Sequence, residues 1–349
     1  MSGLSPYAGS YCKPRNGVSP MFSNRFMAAL FAAAAISVPL SHARAEEADA
    51  ETLVNALNAV FGKHDGVRAA HTHGICVKGN FVAAPEAAML TKAPHFTSKT
   101  PVGVIGRFSM GGGNPDAPNA QKDNVRGIAM HFDLGKGNTT DLLLISAPVF
   151  AAKDPDQFLK LLTAVASKDK DKIAAYFKEN PNSTRAAQWL NARPVPASYA
   201  TVNYWGVHAF TFTNADGKKQ VIKYKALPVG GEAGISDEEA KTKDADFYRP
   251  ELKDRLAKGP VQFRLIAILG EPGDPVDDPT ALWPEEKRKS VNLGTISITD
   301  FEDAKTCDDG IFDPTNVVDG IEGPENDSIF PMRSQAYAVS FSRRQAAQQ

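Results

Sequence analysis

Phe330-Pro331-Met332-Arg333-Ser334-Gln335-Ala336-Tyr337, running on through Ser340 to Arg343-Arg344, is the stretch around which the chain is organised. As a helix it sets Arg333 one turn before Tyr337 and Arg344 two turns after it. Residues four and seven apart share a helix face, so one phenol is flanked by two guanidiniums. A hydrogen-bonding arginine favours the anionic form of a phenol, because a nearby cation stabilises an anion. A buried phenolate is a hard ligand suited to ferric iron, haem iron included. Alone, the same pattern also describes a terminal surface helix whose arginines merely stack or pair. The iron reading requires the rest of the chain to supply a distal pocket.

The 349-residue chain opens with a segment that does not read as fold. Residues 1–45 carry Lys13, Arg15, Arg25 and Arg44 and no acidic residue. Phe26 to Leu40 is an apolar run, and Ala43-Arg44-Ala45 precedes Glu46. A basic region, a short apolar run and an A-x-A site make a signal peptide, with Met21 as an alternative true start. The run falls short of the ~20 apolar residues of a membrane span, so stable membrane insertion after cleavage is not expected. The expected location is the periplasm or another exported compartment. Residues 46–349 then form a single domain, mildly acidic once four basic residues leave. No basic tract or Cys/His cluster suggests nucleic acid. Cys76 and Cys307 are its only cysteines, and one bridge between them is allowed in an oxidising compartment.

Glu46 to Phe61 places Leu53, Leu57, Val60 and Phe61 at helical spacing. Strand-like runs follow at 74–83, 102–108, 127–132 and 141–145. The glycine- and proline-rich stretch from Met110 to Asn119 lacks the Gly-Lys-Ser/Thr of a nucleotide loop. Asp154 to Phe177 reads as one or two helices. Val207 to Asn214 alternates around His208, and Asn214-Ala-Asp-Gly217 is a turn leading to Gln220–Tyr224, a hairpin signature. Ser236 to Lys258 reads as a charged helix, and 261–269 and 293–298 as further strands.

Two histidines, His71 and His73, precede the first strand. Two apart, they share a strand face and suit a zinc site if His131 or His208 supplies a third ligand. A half-buried histidine with a satisfied ring is the plainer alternative.

Arg68-x-x-His71-x-x-Gly74, followed by Gly79 and Phe81, resembles the distal-histidine segment of the catalase superfamily, and specifically of its small exported catalase-related peroxidases. Arg107-Phe108-Ser109 is similar to that family's Arg-Phe-Ser motif, and Arg126-Gly127 to its Arg-Gly-Phe-Ala motif. Asp141-Leu142 through Pro148-Val149-Phe150 follows the segment bearing the distal asparagine. Trp205 to Phe210 with Asn214-Ala-Asp-Gly217 is similar to its Gly-Ser-His-Thr-Phe hairpin. Arg333-x-x-x-Tyr337 with Arg344 falls where the proximal ligand belongs. The resemblance runs in order from about residue 55 to 345. It implies an α+β fold, a catalase-like antiparallel β-barrel with flanking helices, and haem b between the barrel and the C-terminal helix.

Carried over, Tyr337 is the axial iron ligand and Arg333 its charge partner. His71 is the distal acid/base, oriented by Ser109, and the spacing to Arg68 and Gly74 selects His71 over His73. Arg68, Arg107 and Arg344 become propionate partners, and Phe158 the phenylalanine on the distal face. The distal asparagine aligns with Ser146, which is shorter. Losing an oriented donor costs on the order of 10²–10³ in rate, so little catalase activity is expected. Ala70 and Gly111 replace valines that narrow the catalase channel. The implied activity is a haem-dependent peroxidase that reduces hydrogen peroxide or an organic peroxide with an organic donor. The alternatives are rearrangement of organic or fatty-acid hydroperoxides, or exported haem binding without turnover. The expected assembly is a monomer or small homo-oligomer.

Overall fold

The strand-forming runs close on themselves. The computed structural model describes residues 48–347. The expected leader, 1–45, and the alternative start Met21 lie outside them. The strands are β1 (Gly74–Ala83), β2 (Val102–Met110), β3 (Arg126–Asp133), β4 (Thr139–Ile145), β5 (Val195–Pro196), β6 (Tyr204–Trp205), β7 (Phe210–Thr213), β8 (Lys219–Pro228), β9 (Gly234–Ile235), β10 (Val261–Leu269), β11 (Ser290–Phe301) and β12 (Ile321–Glu322). The main sheet runs β10-β11-β1-β2-β3-β4-β6-β8, and a further β8–β10 pairing closes it into an eight-stranded antiparallel barrel. β7 and β12 extend from β8, and β5 pairs with β9 apart from the barrel.

Among the described residues, ten α-helices accompany it: α1 (Ala50–Phe61), α2 (Ala87–Leu90), α3 (Pro94–Thr97), α4 (Pro155–Ala166), α5 (Lys170–Glu179), α6 (Arg185–Asn191), α7 (Asp237–Thr242), α8 (Tyr248–Leu256), α9 (Ala304–Asp308) and α10 (Ile329–Ala346). Among the described residues, no helix is long and apolar enough to cross a membrane.

Strand alternation divides the chemistry from the core. Val104, Phe108 and Met110 of β2, Met130 and Phe132 of β3, and Leu142 and Leu144 of β4 point into the barrel and are buried. Side chains one residue along take the opposite face. Arg107 and Ser109, Gly127 and Ala129, and Leu143 and Ile145 therefore form an outer floor, and all six line one cavity. β11 is longer than its apolar run, and its register against β10 shifts beside Gly294, which adopts a φ of 147°. A Cβ at that position would run into the Val82 carbonyl and the Phe81 ring.

Three sequence expectations are refined. The 154–177 segment is two helices, because Lys168 takes a left-handed conformation (φ 56°) and Asp169 caps a fresh start. The 236–258 segment also divides. Pro250 lies in the first turn of α8, and a proline ring excludes a helical carbonyl four residues earlier, here that of Asp246. The alternating run at 207–214 is strand only from Phe210 to Thr213, since His208 leaves the ladder to meet Asp327. The Asn214–Gly217 turn does join β7 to β8, with Gly217 at φ 77° and its N–H on the Asn214 carbonyl.

Candidate active site

The outer floor of β2–β4 is roofed by α1, α4 and α10, and the cavity between them has a volume of about 550 Å³. Volumes of this order suit a cofactor or drug-sized ligand. α1 starts from a capping box formed by Asp49 and Thr52. Arg343 of α10 ties the two helices together, donating to Asn55 at 2.7 Å and Glu51 at 3.1 Å. α10 has its own anchor, for the Asp327 carboxylate accepts the Ile329 N–H at 3.0 Å.

His71 stands on the barrel side, just before β1, in a left-handed conformation with φ 55°. That conformation is uncommon outside glycine, and surrounding bonds hold it. Arg107 donates to the His71 carbonyl at 2.6 Å and to the Thr72 carbonyl at 2.7 Å. The Ala69 N–H reaches Ser340 of α10 at 3.0 Å. The His71 ring lies over β3 at Gly127, which pairs in register with Ser109. His71 Nδ1 and Ser109 Oγ are 2.9 Å apart, and Nε2 has no protein partner. Burial, joined by the positive charges of Arg107, Arg333 and Arg68, lowers the His71 pKa to about 4. The imidazole is therefore neutral near pH 7 and can accept a proton.

One face of α10 forms the far wall through Met332, Arg333, Ala336, Tyr337, Ser340, Phe341 and Arg344, spaced as the helix requires. Arg333 donates from Nε and Nη2 to the Tyr337 oxygen at 3.1 and 2.8 Å. Phe158 of α4 also lines the cavity and packs on Phe150, with ring centroids 5.1 Å apart.

At one edge Arg68, Arg107 and Arg344 come together. Arg68 pairs with the Asp308 carboxylate and donates to the Cys307 carbonyl. Arg344 donates to the carbonyls of Asp308 (2.7 Å) and Gly310 (3.1 Å), and its Nε is buried without a partner. Burial, then the charge of Arg68, lowers the pKa of both Arg107 and Arg344 to about 10, with Asp308 acting in opposition. Three guanidiniums around one carboxylate leave positive charge uncompensated at a largely apolar cavity. Buried charge of this kind calls for an anionic partner.

Ser146 departs from expectation. Its hydroxyl accepts the Arg126 N–H at 2.9 Å, and the cavity wall at this place is Ile145. A side chain that caps β3 from the neighbouring strand position does not present a donor beside His71. Arg107 departs in part, because two of its guanidinium nitrogens are committed to the His71 loop. The zinc alternative does not assemble. His73 is held by the Ala117 carbonyl (2.7 Å) and Asp246 (3.1 Å), His131 by Asp141 (2.5 Å), and His208 by Asp327 (2.6 Å). Among the described residues, no group of three or more His, Cys, Asp or Glu could hold a metal ion.

The sequence reading missed Asp308, Asp327 and Gly127 as parts of the site. Asp327 serves twice, capping α10 and holding His208, whose Nε2 is buried without a partner. Burial lowers the His208 pKa to about 4 although Asp327 opposes the shift, so that ring is neutral as well. Cys76 and Cys307 are joined, with Cα atoms 5.9 Å apart, which fixes the segment carrying Asp308 to β1.

The family model described as catalase matches residues 63–348, which spans the barrel, the His71 segment and α10. The chain belongs to the catalase family. Among curated relatives of this catalase-family chain, a catalase-related peroxidase of Synechococcus elongatus is 33% identical over 302 residues, covering 84% of this chain and 88% of the relative. A second, from Mycolicibacterium paratuberculosis, is 36% identical over 299 residues, covering 83% and 93%. The fold is similar to that of a fungal catalase crystal structure at a TM-score of 0.70 and 20% identity, covering 81% of this chain and 60% of the other. Haem is the family's usual cofactor, and the residues here fit it. A largely apolar cavity has an arginine-held phenol on one wall, a neutral imidazole on another, and at its edge under-compensated guanidiniums suited to the acids of a porphyrin.

Proposed function

We propose that this chain is an exported haem-dependent peroxidase that reduces hydrogen peroxide or an organic peroxide using an organic electron donor. The observation that carries the reading is the neutral His71, fixed by Ser109, in one cavity with the Arg333–Tyr337 pair. Storage of a cofactor needs no acid/base group held in a strained backbone conformation. The Cys76–Cys307 bridge accords with an oxidising compartment, and the names of the two peroxidase relatives above accord with the activity.

Tyr337 would hold haem iron, with Arg333 donating to its oxygen, Arg68 and Arg344 would take the propionates, and Phe158 would pack against the ring system. When bound, haem supplies a metal centre at which peroxide is activated and its oxidising equivalents are retained. The chain's own part is proton handling. With Nδ1–H donating to Ser109 Oγ, the lone pair of His71 Nε2 accepts the proton of the bound peroxide oxygen. It then returns that proton to the departing oxygen, so water or an alcohol leaves instead of an anion. Arg107 holds the His71 carbonyl and so keeps the ring where the transfer needs it. Ile145 in place of a polar donor leaves a second peroxide molecule without an oriented partner, which favours oxidation of an organic donor over dismutation. A general base of this kind contributes typically ~10²–10⁴-fold. His71→Ala should therefore lose peroxide reduction by that factor while still taking up haem with a normal absorption band. Full peroxidase turnover in that variant would refute the proposal.

A further inference from the structure

Two indoles stand directly behind the cavity wall. Ile145, Val149 and Ala186 line the cavity, and Trp189 of α6, like Ile145, packs against the buried cluster of Ala147, Val149 and Ala186. Trp205 of β6 pairs in register with Ile145. The two indoles meet edge to face, with centroids 5.3 Å apart and planes at 83°. Trp205 is buried at 5% exposure, and Trp189 reaches the surface.

The surroundings of the pair are unequal. The Trp205 indole N–H donates to Glu285 Oε1 at 2.7 Å. The other oxygen of Glu285 accepts Lys225 Nζ at 2.7 Å, so the ammonium lying 4.7 Å over the Trp205 ring is compensated by the same carboxylate. Trp189 carries the Arg193 guanidinium 3.2 Å over its face. An adjacent cation opposes removal of an electron from a ring, and a carboxylate on the N–H assists it by accepting the proton.

We infer that Trp189 and Trp205 form an electron-entry route for aromatic donors too large to enter the cavity, a phenol or an aniline-type dye oxidised at the surface. The inference rests on the peroxidase reading and names where its reductant acts. Reducing one peroxide to an alcohol and water takes two electrons and two protons. Each electron leaves Trp205 for the cavity, and the indole radical cation passes its Nε1 proton to Glu285. A phenolic donor at Trp189 then returns one electron through that ring to Trp205, and Glu285 returns the proton to Nε1. The donor's own proton goes to solvent, leaving a phenoxyl radical. Two such cycles, with two protons taken up from solvent, complete the reduction. Arg193 makes Trp189 the harder ring to oxidise, so the oxidised state rests on Trp205 beside its base.

The test uses the haem-loaded full chain, in which wild type, Trp205→Phe, Trp189→Phe and Glu285→Gln are mixed with hydrogen peroxide and freeze-quenched without donor. Electron paramagnetic resonance should show a radical in wild type whose line narrows when tryptophan is ring-deuterated, and which Trp205→Phe and Glu285→Gln lose. Peptide mapping should find hydroxylated Trp205 after repeated peroxide treatment. The ratio of kcat/KM for a bulky sulfonated azo dye to that for guaiacol should fall about tenfold or more in Trp205→Phe and in the surface variant Trp189→Phe. A wild type that oxidises guaiacol but shows no tryptophan-centred radical would overturn the route, as would an unchanged dye-to-guaiacol ratio in both Trp variants. A wild type that takes up haem yet oxidises neither donor would refute the peroxidase reading, and the route with it.

Discussion

Gly127→Ala is the smallest change expected to disable the site without touching a polar group. A Cβ at this position would lie 2.9 Å from Ser109 Oγ and 3.1 Å from both Cε1 and Nδ1 of His71. Both partners of the 2.9 Å contact that orients the imidazole are therefore pressed by one methyl group. The ring cannot yield toward its backbone, because Arg107 holds the His71 and Thr72 carbonyls. Overpacking a tight site costs roughly 1–3 kcal/mol, and a catalytic group misplaced by ~1 Å can cost ~10²-fold. A shift of a few tenths of an ångström should then lower kcat/KM for hydrogen peroxide by about 10- to 100-fold. Stopped-flow mixing of the haem-loaded variant with peroxide reads this directly, and the haem absorption band shows that the fold and cofactor persist. A rate within about twofold of wild type, at an unchanged melting temperature, would refute the idea that Gly127 is reserved for the His71 ring.

Arg344→Met removes a guanidinium with a buried unpartnered nitrogen. Hydrogen bonds to charged groups are worth ~1.5–3 kcal/mol, so haem should bind roughly 10- to 100-fold more weakly, measured by transfer to apomyoglobin. Gly111→Val would place a Cβ 2.6 Å from Asn124 Oδ1 and from Val125 Cγ2 at the cavity wall. It should slow peroxide oxidation of donors that must enter the cavity more than it slows the reaction with hydrogen peroxide alone, as steady-state comparison would show. Acid should destabilise the haem-free protein. The pKa values of His71 and His208 are lowered to about 4 from an ordinary 6.5, so between these limits the unfolded chain binds protons that the folded chain does not. Stability is thus fully present above pH 6.5 and is lost as pH falls through about 4. The melting temperature should drop over that window, and less steeply in His71→Gln.

The individual strand runs and the Arg333–Tyr337 spacing were legible because each is a local pattern, whereas closure of the strands into a barrel followed only from the family resemblance. Strands 74–83 and 261–269 are runs of ten and nine residues rich in strand-forming side chains, and Arg333 and Tyr337 are one helical turn apart. Ser146 was misplaced by a single step. In a strand, adjacent residues face opposite sides, so a one-residue offset exchanges cavity for barrel wall, and only three-dimensional pairing with Arg126 shows which side is which. Asp308 and Asp327 were invisible for another reason. Their partners Arg68 and His208 lie 240 and 119 residues away, beyond any local pattern. Asp327 did leave a trace, since an aspartate two residues before a helix beginning Ile-Phe-Pro is a capping signal. Pro250 was likewise present to divide the 236–258 segment, but the charge pattern outweighed it. The Trp189–Trp205 contact joins residues with no shared repeat, and α6 and β6 had to be placed before the pair existed.

Tyr337 and His71 line one cavity, and on the proposed function a haem would lie between them. The visible spectrum of the haem b-loaded protein, taken before and after hydrogen peroxide for wild type and Tyr337→Phe, tests it most directly. The account predicts a high-spin ferric spectrum with tyrosinate absorption that Tyr337→Phe loses. It also predicts a peroxide-induced change in wild type that reverts when an aromatic donor is added. A wild type without a Soret band, or a Tyr337→Phe spectrum indistinguishable from wild type, would contradict it.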